Sequence, residues 1–329
     1  MFKTILVPLD RSALAEQAVG QAALIARGAH AELDLVLVHT PFPFAGHSDA
    51  PWDDAEWSVE HAYLEAMEND LQSGAAIPVT HGVMRGAPAE HICARAADMD
   101  ADLIVMTSHG RTGINRAWLG SVADAVIRRS SIPVLVLRPT DTPHARLAAR
   151  HSFKQILVPL DGSALAADAI GPAIDLARAT GASIALLRVL LPVPLLIAYD
   201  GTVPFVYQPM VVDQAETDRI FEDATRVLNA LAHRLQEQEH VAVAAEVVVD
   251  SRVADAIVNF ARGHDIDVIA MSTQGRGASR LLVGSVADKV LRGSGLPVLL
   301  RRPVVPSNAS APRGTAEANE ESPALSTAS

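Results

Sequence analysis

The chain writes one pattern twice, and this constrains its fold more than any other feature. "FKTILVPLDRSALAEQAV" at 2–19 returns as "FKQILVPLDGSALAADAI" at 153–170. "DADLIVMTSHGRTG" returns as "DIDVIAMSTQGRGA", and "LGSVADAVIRRSSIPVLVLRP" as "VGSVADKVLRGSGLPVLLRRP". The order is the same in both halves. This is a tandem duplication of one unit of roughly 140–150 residues, the size of one domain. The 329 residues have room for two such units. The spacing places one domain at 1–140, a linker at 141–151 and a second domain at 152–303. Residues 304–329 are rich in Ser, Ala, Pro and Glu with few large apolar groups, so they are expected to be a disordered tail.

Within each unit, apolar runs alternate with helical spacing. In the first, strands are expected at 4–9, 32–39, 78–84, 102–106 and 133–137, with helices at 12–27, 56–73, 87–98 and 120–129. Leu14, Ala18, Ala22 and Ile25 mark one helical face. Continuous apolar strands alternating with helices indicate a parallel sheet covered on both sides. The expectation is therefore two doubly wound α/β domains. The short linker brings them into contact.

Composition excludes some functions. The formal net charge of -11 disfavours a nucleic-acid or anionic-membrane binder. The one cysteine, Cys93, allows no internal disulfide and no multi-cysteine metal site, which suits a reducing, cytoplasmic setting. Its helix position beside Ala89, Ala96 and Ala97 reads as a buried small residue. The histidines show no metal-ligand spacing. No secretory leader is evident at the start. The apolar stretch 189–212 is broken by Pro192, Pro194, Pro204, Pro209, Asp200 and Gly201, so it reads as a strand end and a covering loop, not a membrane span. It and the acidic, tryptophan-bearing stretch 47–61 differ most between the halves.

Ligands of open parallel sheets bind beyond the carboxyl ends of the strands. In the first unit Pro8, lacking an N–H, is expected to end the pairing of its strand, with Asp10 just beyond. A second strand ends at Met106, and its loop runs through Thr107, Ser108, His109 and Gly110 to Gly120-Ser121 at a helix start. The two glycines let backbone N–H groups approach an anion, and the helix start supplies unpaired donors. Arg111 or Arg116 could add charge. Asp10 suits ribose hydroxyls. Together these describe a nucleotide, although each element alone could be a simple turn or cap. The spacing matches neither the phosphate loop of nucleoside-triphosphatases nor the dinucleotide fingerprint.

These residues resemble the universal stress protein family. Its nucleotide-binding members carry Gly-2X-Gly-9X-Gly-(Ser/Thr) after the fourth strand and an aspartate after the first. Here the pattern reads Thr107-Ser-His-Gly110, nine residues, then Gly120-Ser121, with Thr107 in place of the first glycine. The resemblance covers both units and omits the tail. It implies Rossmann-like (HUP-type) five-stranded parallel sheets, packed as a pseudo-dimer that mimics the pairing of single-domain members. It also implies ATP or another adenine nucleotide, with Mg²⁺ carried by the phosphates. Carried over, Pro8, Leu9 and Asp10 border adenine and ribose, and Thr40 meets the adenine edge. Met106, Thr107, His109, Gly110, Gly120, Ser121 and Val122 line ribose and phosphates. The matching set in the second unit is Pro159, Leu160, Asp161, Val189, Met271, Ser272, Gly275, Gly284, Ser285 and Val286, with Gln274 in place of the histidine. Only eight residues separate Gly275 from Gly284, so the N–H groups there are expected to shift and the second unit to bind weakly, differently or not at all.

The implied function is a nucleotide-binding stress-response or regulatory protein with at most slow hydrolysis. His109 has no identifiable nucleophile and orienting carboxylate beside it, so a loop hydrogen bond is its expected role. Two alternatives stand. One is a nucleotide-dependent enzyme of the wider superfamily, whose His-x-Gly-His or Ser-Gly-Gly-x-Asp-Ser motifs do not appear. The other is an interaction module that has lost its nucleotide. A protein partner and further homodimerisation are compatible with the sequence; the partner is unnamed by it.

Overall fold

A computed structural model of the chain describes residues 1–40, 51–75, 77–109, 119–138, 152–194, 213–274 and 283–303. The first repeat contains β1 (Thr4–Leu9), α1 (Ala13–Ala29), β2 (Glu32–His39), α2 (Pro51–Ala75), β3 (Val79–Arg85), α3 (Pro88–Asp98), β4 (Leu103–Thr107), α4 (Ser121–Arg129) and β5 (Val134–Leu137). The second contains β6 (Gln155–Pro159), α5 (Ala164–Ala167), α6 (Ile170–Thr180), β7 (Ser183–Leu190), α7 (Gln214–Glu239), β8 (Val243–Val249), α8 (Val253–Gly263), β9 (Val268–Ser272), α9 (Ser285–Gly293) and β10 (Val298–Arg301). The expected elements are all present, with ends displaced by a residue or two and α2 starting earlier than the spacing indicated. The linker and tail lie outside the described residues.

The strands form one sheet of ten in the order β3-β2-β1-β4-β5-β10-β9-β6-β7-β8. Each half is parallel, and the halves meet edge to edge through antiparallel β5 and β10, with Val136 opposite Val298 and Val134 opposite Leu300. Joining the two edges removes two rows of unpaired backbone groups. One apolar layer packs α1, α2, α6 and α7 on one face, and a second packs α3, α4, α8 and α9 on the other; each layer runs through both repeats. This is the tandem pseudo-dimer that the family resemblance implied.

Side chains reinforce the seam symmetrically. Arg138 donates to Leu291 O at 2.5 Å and Arg292 O at 2.7 Å at the end of α9. Arg302 donates to Arg128 O at 2.9 Å and Arg129 O at 3.3 Å at the end of α4. Each cation thus satisfies last-turn carbonyls of the other repeat's helix, where the helix dipole is negative. Burial pushes the Arg138 guanidinium down from its ordinary value, and Arg292 adds to this. On the opposite face α1 and α6 approach so closely that a Cβ on Gly28 would stand 1.8 Å from Ala179 O.

The repeats differ where local chemistry differs. Helix α1 is unbroken, whereas its counterpart is split into α5 and α6 at Asp168–Ala169. Pro172 accounts for this, because its ring clashes with the carbonyl four residues earlier and it has no N–H to donate. Cys93 is half-buried beside buried Ala89 and Ala96, while Ala97 faces solvent, so that face is narrower than the spacing suggested.

Candidate functional site

The site begins where strand order reverses. β1 pairs with β2 along its whole length, to Leu9 opposite Leu37, but with β4 only at Ile5 and Leu6. Pro8 therefore does not end the strand, as the sequence suggested. It lies opposite Val36 and beyond the last β4 pair, where no donor toward β4 is needed. The strands part there and open a crevice at their carboxyl ends.

Asp10 is fixed at that crevice by its own turn. Its Oδ1 accepts from the Ser12 N–H at 3.0 Å, and Ser12 Oγ caps α1 by accepting from Ala15 N–H at 3.1 Å. Arg11 between them holds a φ of 65° and pairs with Glu56 on α2. Across the crevice Thr107 Oγ1 donates to His109 O at 2.8 Å, and Ser108 Oγ lies 3.1 Å from His109 Nδ1. Gly120 then closes the loop: its N–H donates to Ser108 O at 2.7 Å. A Cβ there would sit 2.9 Å from that same oxygen, so the position requires glycine by close approach, at an ordinary φ of -61°. Helix α4 starts at once with no side-chain cap on its first N–H groups.

A cavity of about 690 Å³ lies between these two edges. Pro8, Leu9, Asp10, Thr40, Met106, Thr107, His109, Gly120, Ser121 and Val122 all line it. Gly110, Arg111 and Arg116 fall outside the described residues. The sequence reading missed one further group. His39, at the end of β2, holds Nδ1 2.8 Å from Glu60 Oε2 on α2, and both side chains are about 5% exposed or less. Glu56 also lines the cavity. Trp57 packs edge-on against the His39 ring, with centroids 6.0 Å apart, and carries Arg85 over its own ring at 5.4 Å. His39 and Glu60 are 21 residues apart, and neither matches a motif. The available signal was a histidine ending the apolar run Leu35–Val38.

The second repeat builds the same frame. Asp161 Oδ1 accepts from Ser163 N–H at 2.8 Å, with Gly162 taking the left-handed turn at φ 81°. Gly284 N–H donates to Thr273 O at 2.6 Å, and its φ and ψ of -58° and 149° match the -61° and 148° of Gly120. The expected displacement of the N–H groups therefore does not occur at the helix start. Residues 275–282, which include Gly275, lie outside the described residues. A cavity of about 510 Å³ follows, lined by Pro159, Leu160, Asp161, Val189, Met271, Ser272, Gln274, Gly284, Ser285 and Val286. By the sheet register Val189 corresponds to Val38, and Leu191 is the counterpart of Thr40.

Fold and site define a tandem doubly wound α/β protein with a cleft at each strand-order reversal. The model of the universal stress protein family matches residues 1–138 and again 152–302, and the chain belongs to that family. A universal stress protein of Mycolicibacterium smegmatis is 26% identical over 91% of this chain and 97% of its own length. One from Methanocaldococcus jannaschii is 31% identical over 42% of this chain and 83% of its own. The crystal structure of a universal stress protein from Archaeoglobus fulgidus aligns with a TM-score of 0.63 at 20% identity, over 91% of this chain and 98% of that one, and shares the fold. No helix among the described residues is long and apolar enough to cross a membrane. No group of three or more metal-ligating side chains is found among them either.

Proposed function

We propose that the first cavity binds an adenine nucleotide such as ATP, and that the protein is a cytoplasmic, nucleotide-responsive regulator in the stress response. One observation carries this reading: a cavity of about 690 Å³ has Asp10 on one edge and the uncapped start of α4 at Gly120-Ser121 on the other. In this reading the Asp10 carboxylate accepts from ribose hydroxyls. The α4 N–H groups and the Ser121 hydroxyl suit phosphate oxygens. Thr40, His39 and Glu60 offer polar groups to the edge of a base. Mg²⁺ travelling with the phosphates offsets their repulsion from Asp10, Glu56 and Glu60. The Ser108 hydroxyl lies 3.1 Å from His109 Nδ1, and binding with at most slow hydrolysis is the reading we favour. Domain limits of 1–140 and 152–303 are part of the same reading.

Calorimetric titration of Mg·ATP into nucleotide-stripped protein tests it. One site per chain is expected, lost in Gly120→Val and weakened at least about ten-fold in Asp10→Ala, which removes charge-assisted hydrogen bonds. No binding, or binding indifferent to both substitutions, would overturn the proposal.

A further inference from the structure

The two cavities share a backbone and differ in chemistry at matching positions. His39 is replaced by Leu190 and Thr40 by Leu191. Glu60 is replaced by buried Ala224, and Glu56 by Ile220, which with Leu191 is among the exposed large apolar side chains. The backbone does not restore the lost polarity. Leu190 O already accepts from Asp250 N–H at 2.9 Å, as His39 O accepts from Gly86 N–H at 3.0 Å. A base edge placed against Leu190 and Leu191 would meet hydrocarbon side chains, and unpaired polar atoms of a bound ligand are costly to bury.

One substitution runs the other way. Buried Leu37 of the first cavity becomes Arg188 in the second. Arg188 is partly buried and is the only basic side chain among the described residues lining that cavity. Among the described residues no hydrogen-bond or ion-pair partner stands against it. The single lining carboxylate, Asp161, is turned onto the Ser163 N–H. A half-buried guanidinium beside an apolar chamber is complementary to an anion joined to hydrocarbon.

We propose that the second cavity binds a small amphiphile: an alkyl or acyl chain bearing one anionic head, carboxylate or phosphate, held by Arg188. The chain lies against Leu160, Leu190, Leu191, Val253 and Ile257. The proposal rests on the second cavity alone and stands whether or not the first holds a nucleotide.

The test is displacement of a fluorescent fatty-acid analogue from the full chain by octanoate, decanoate, decyl phosphate and decanol, each below its micellar concentration. Affinity should rise up to about four-fold per added methylene. The anions should bind at least about ten-fold tighter than decanol, and Arg188→Leu or Arg188→Gln should abolish that preference. Leu191→Asp, at an exposed position, should weaken the whole series, while Thr40→Asp at the matching place should not. Decanoate against decyl phosphate identifies the head. A flat chain-length series, an unchanged anion preference in both Arg188 variants, or competitive displacement of the probe by Mg·ATP would overturn the proposal.

Discussion

The buried His39–Glu60 pair allows a quantitative test, because the second repeat already contains its apolar replacement. Whichever residue holds the proton, the partners are 2.8 Å apart and almost sealed from solvent. Removing Glu60 takes its carboxyl from the His39 ring, and removing His39 takes the ring from the buried Glu60 carboxyl; each costs about 3 kcal/mol. Replacing both with apolar groups removes the desolvation penalty together with the attraction. The double variant His39→Leu/Glu60→Ala should therefore cost less than about 2 kcal/mol, most of it from the volume lost at Glu60. Leu190 and Ala224 show that this combination is compatible with the same frame, since both are buried there. The coupling energy would be roughly 4 kcal/mol. Urea unfolding followed by tryptophan fluorescence is the assay. All three tryptophans lie in the first repeat, so the signal reports that unit. Single-variant losses that simply add in the double variant would refute the argument.

Three further outcomes are expected. Arg95→Ala should destabilise the first repeat by about 3 kcal/mol in the same assay, because Asp34 is fully buried and held by a two-pronged contact at 2.8 Å from Arg95. Gly28→Ala should lower the melting temperature through about 1–3 kcal/mol of forced separation of α1 and α6, since its Cβ would be 1.8 Å from Ala179 O; an unchanged melt would contradict the close approach. Burial pushes the Cys93 thiol up, an effect that Arg129 only partly opposes, so alkylation at neutral pH should be slower than for a free cysteine and its rate should climb at higher pH than the free thiol's. The raised value also means that any stability it contributes is present below the ordinary thiol pKa and falls as pH rises through the shifted one.

The sequence by itself determined the duplication, the order of strands and helices, the strand-end positions of Asp10 and Asp161, and the helix-start positions of Gly120 and Gly284. Those are local properties: apolar runs, turn residues and helix starts are written in neighbouring positions. It also carried the family. It expected the shorter second loop to shift the N–H groups at the helix start, but a residue lost from a loop need not move the anchored ends. Gly284 and Thr273 close as Gly120 and Ser108 do.

Only the tertiary structure decided the rest. The ten-stranded sheet depends on β5 meeting β10, with Arg138 and Arg302 reaching into opposite repeats, and nothing local specifies that encounter. Asp34, Thr80 and Arg95 come from three different elements, and their counterparts Ala185, Ala244 and Phe260 form no such set. The two cavities have the same frame because strand ends and helix starts repeat. Their chemistry differs because the side chains facing each cavity come from separate strands and helices, which only folding brings together.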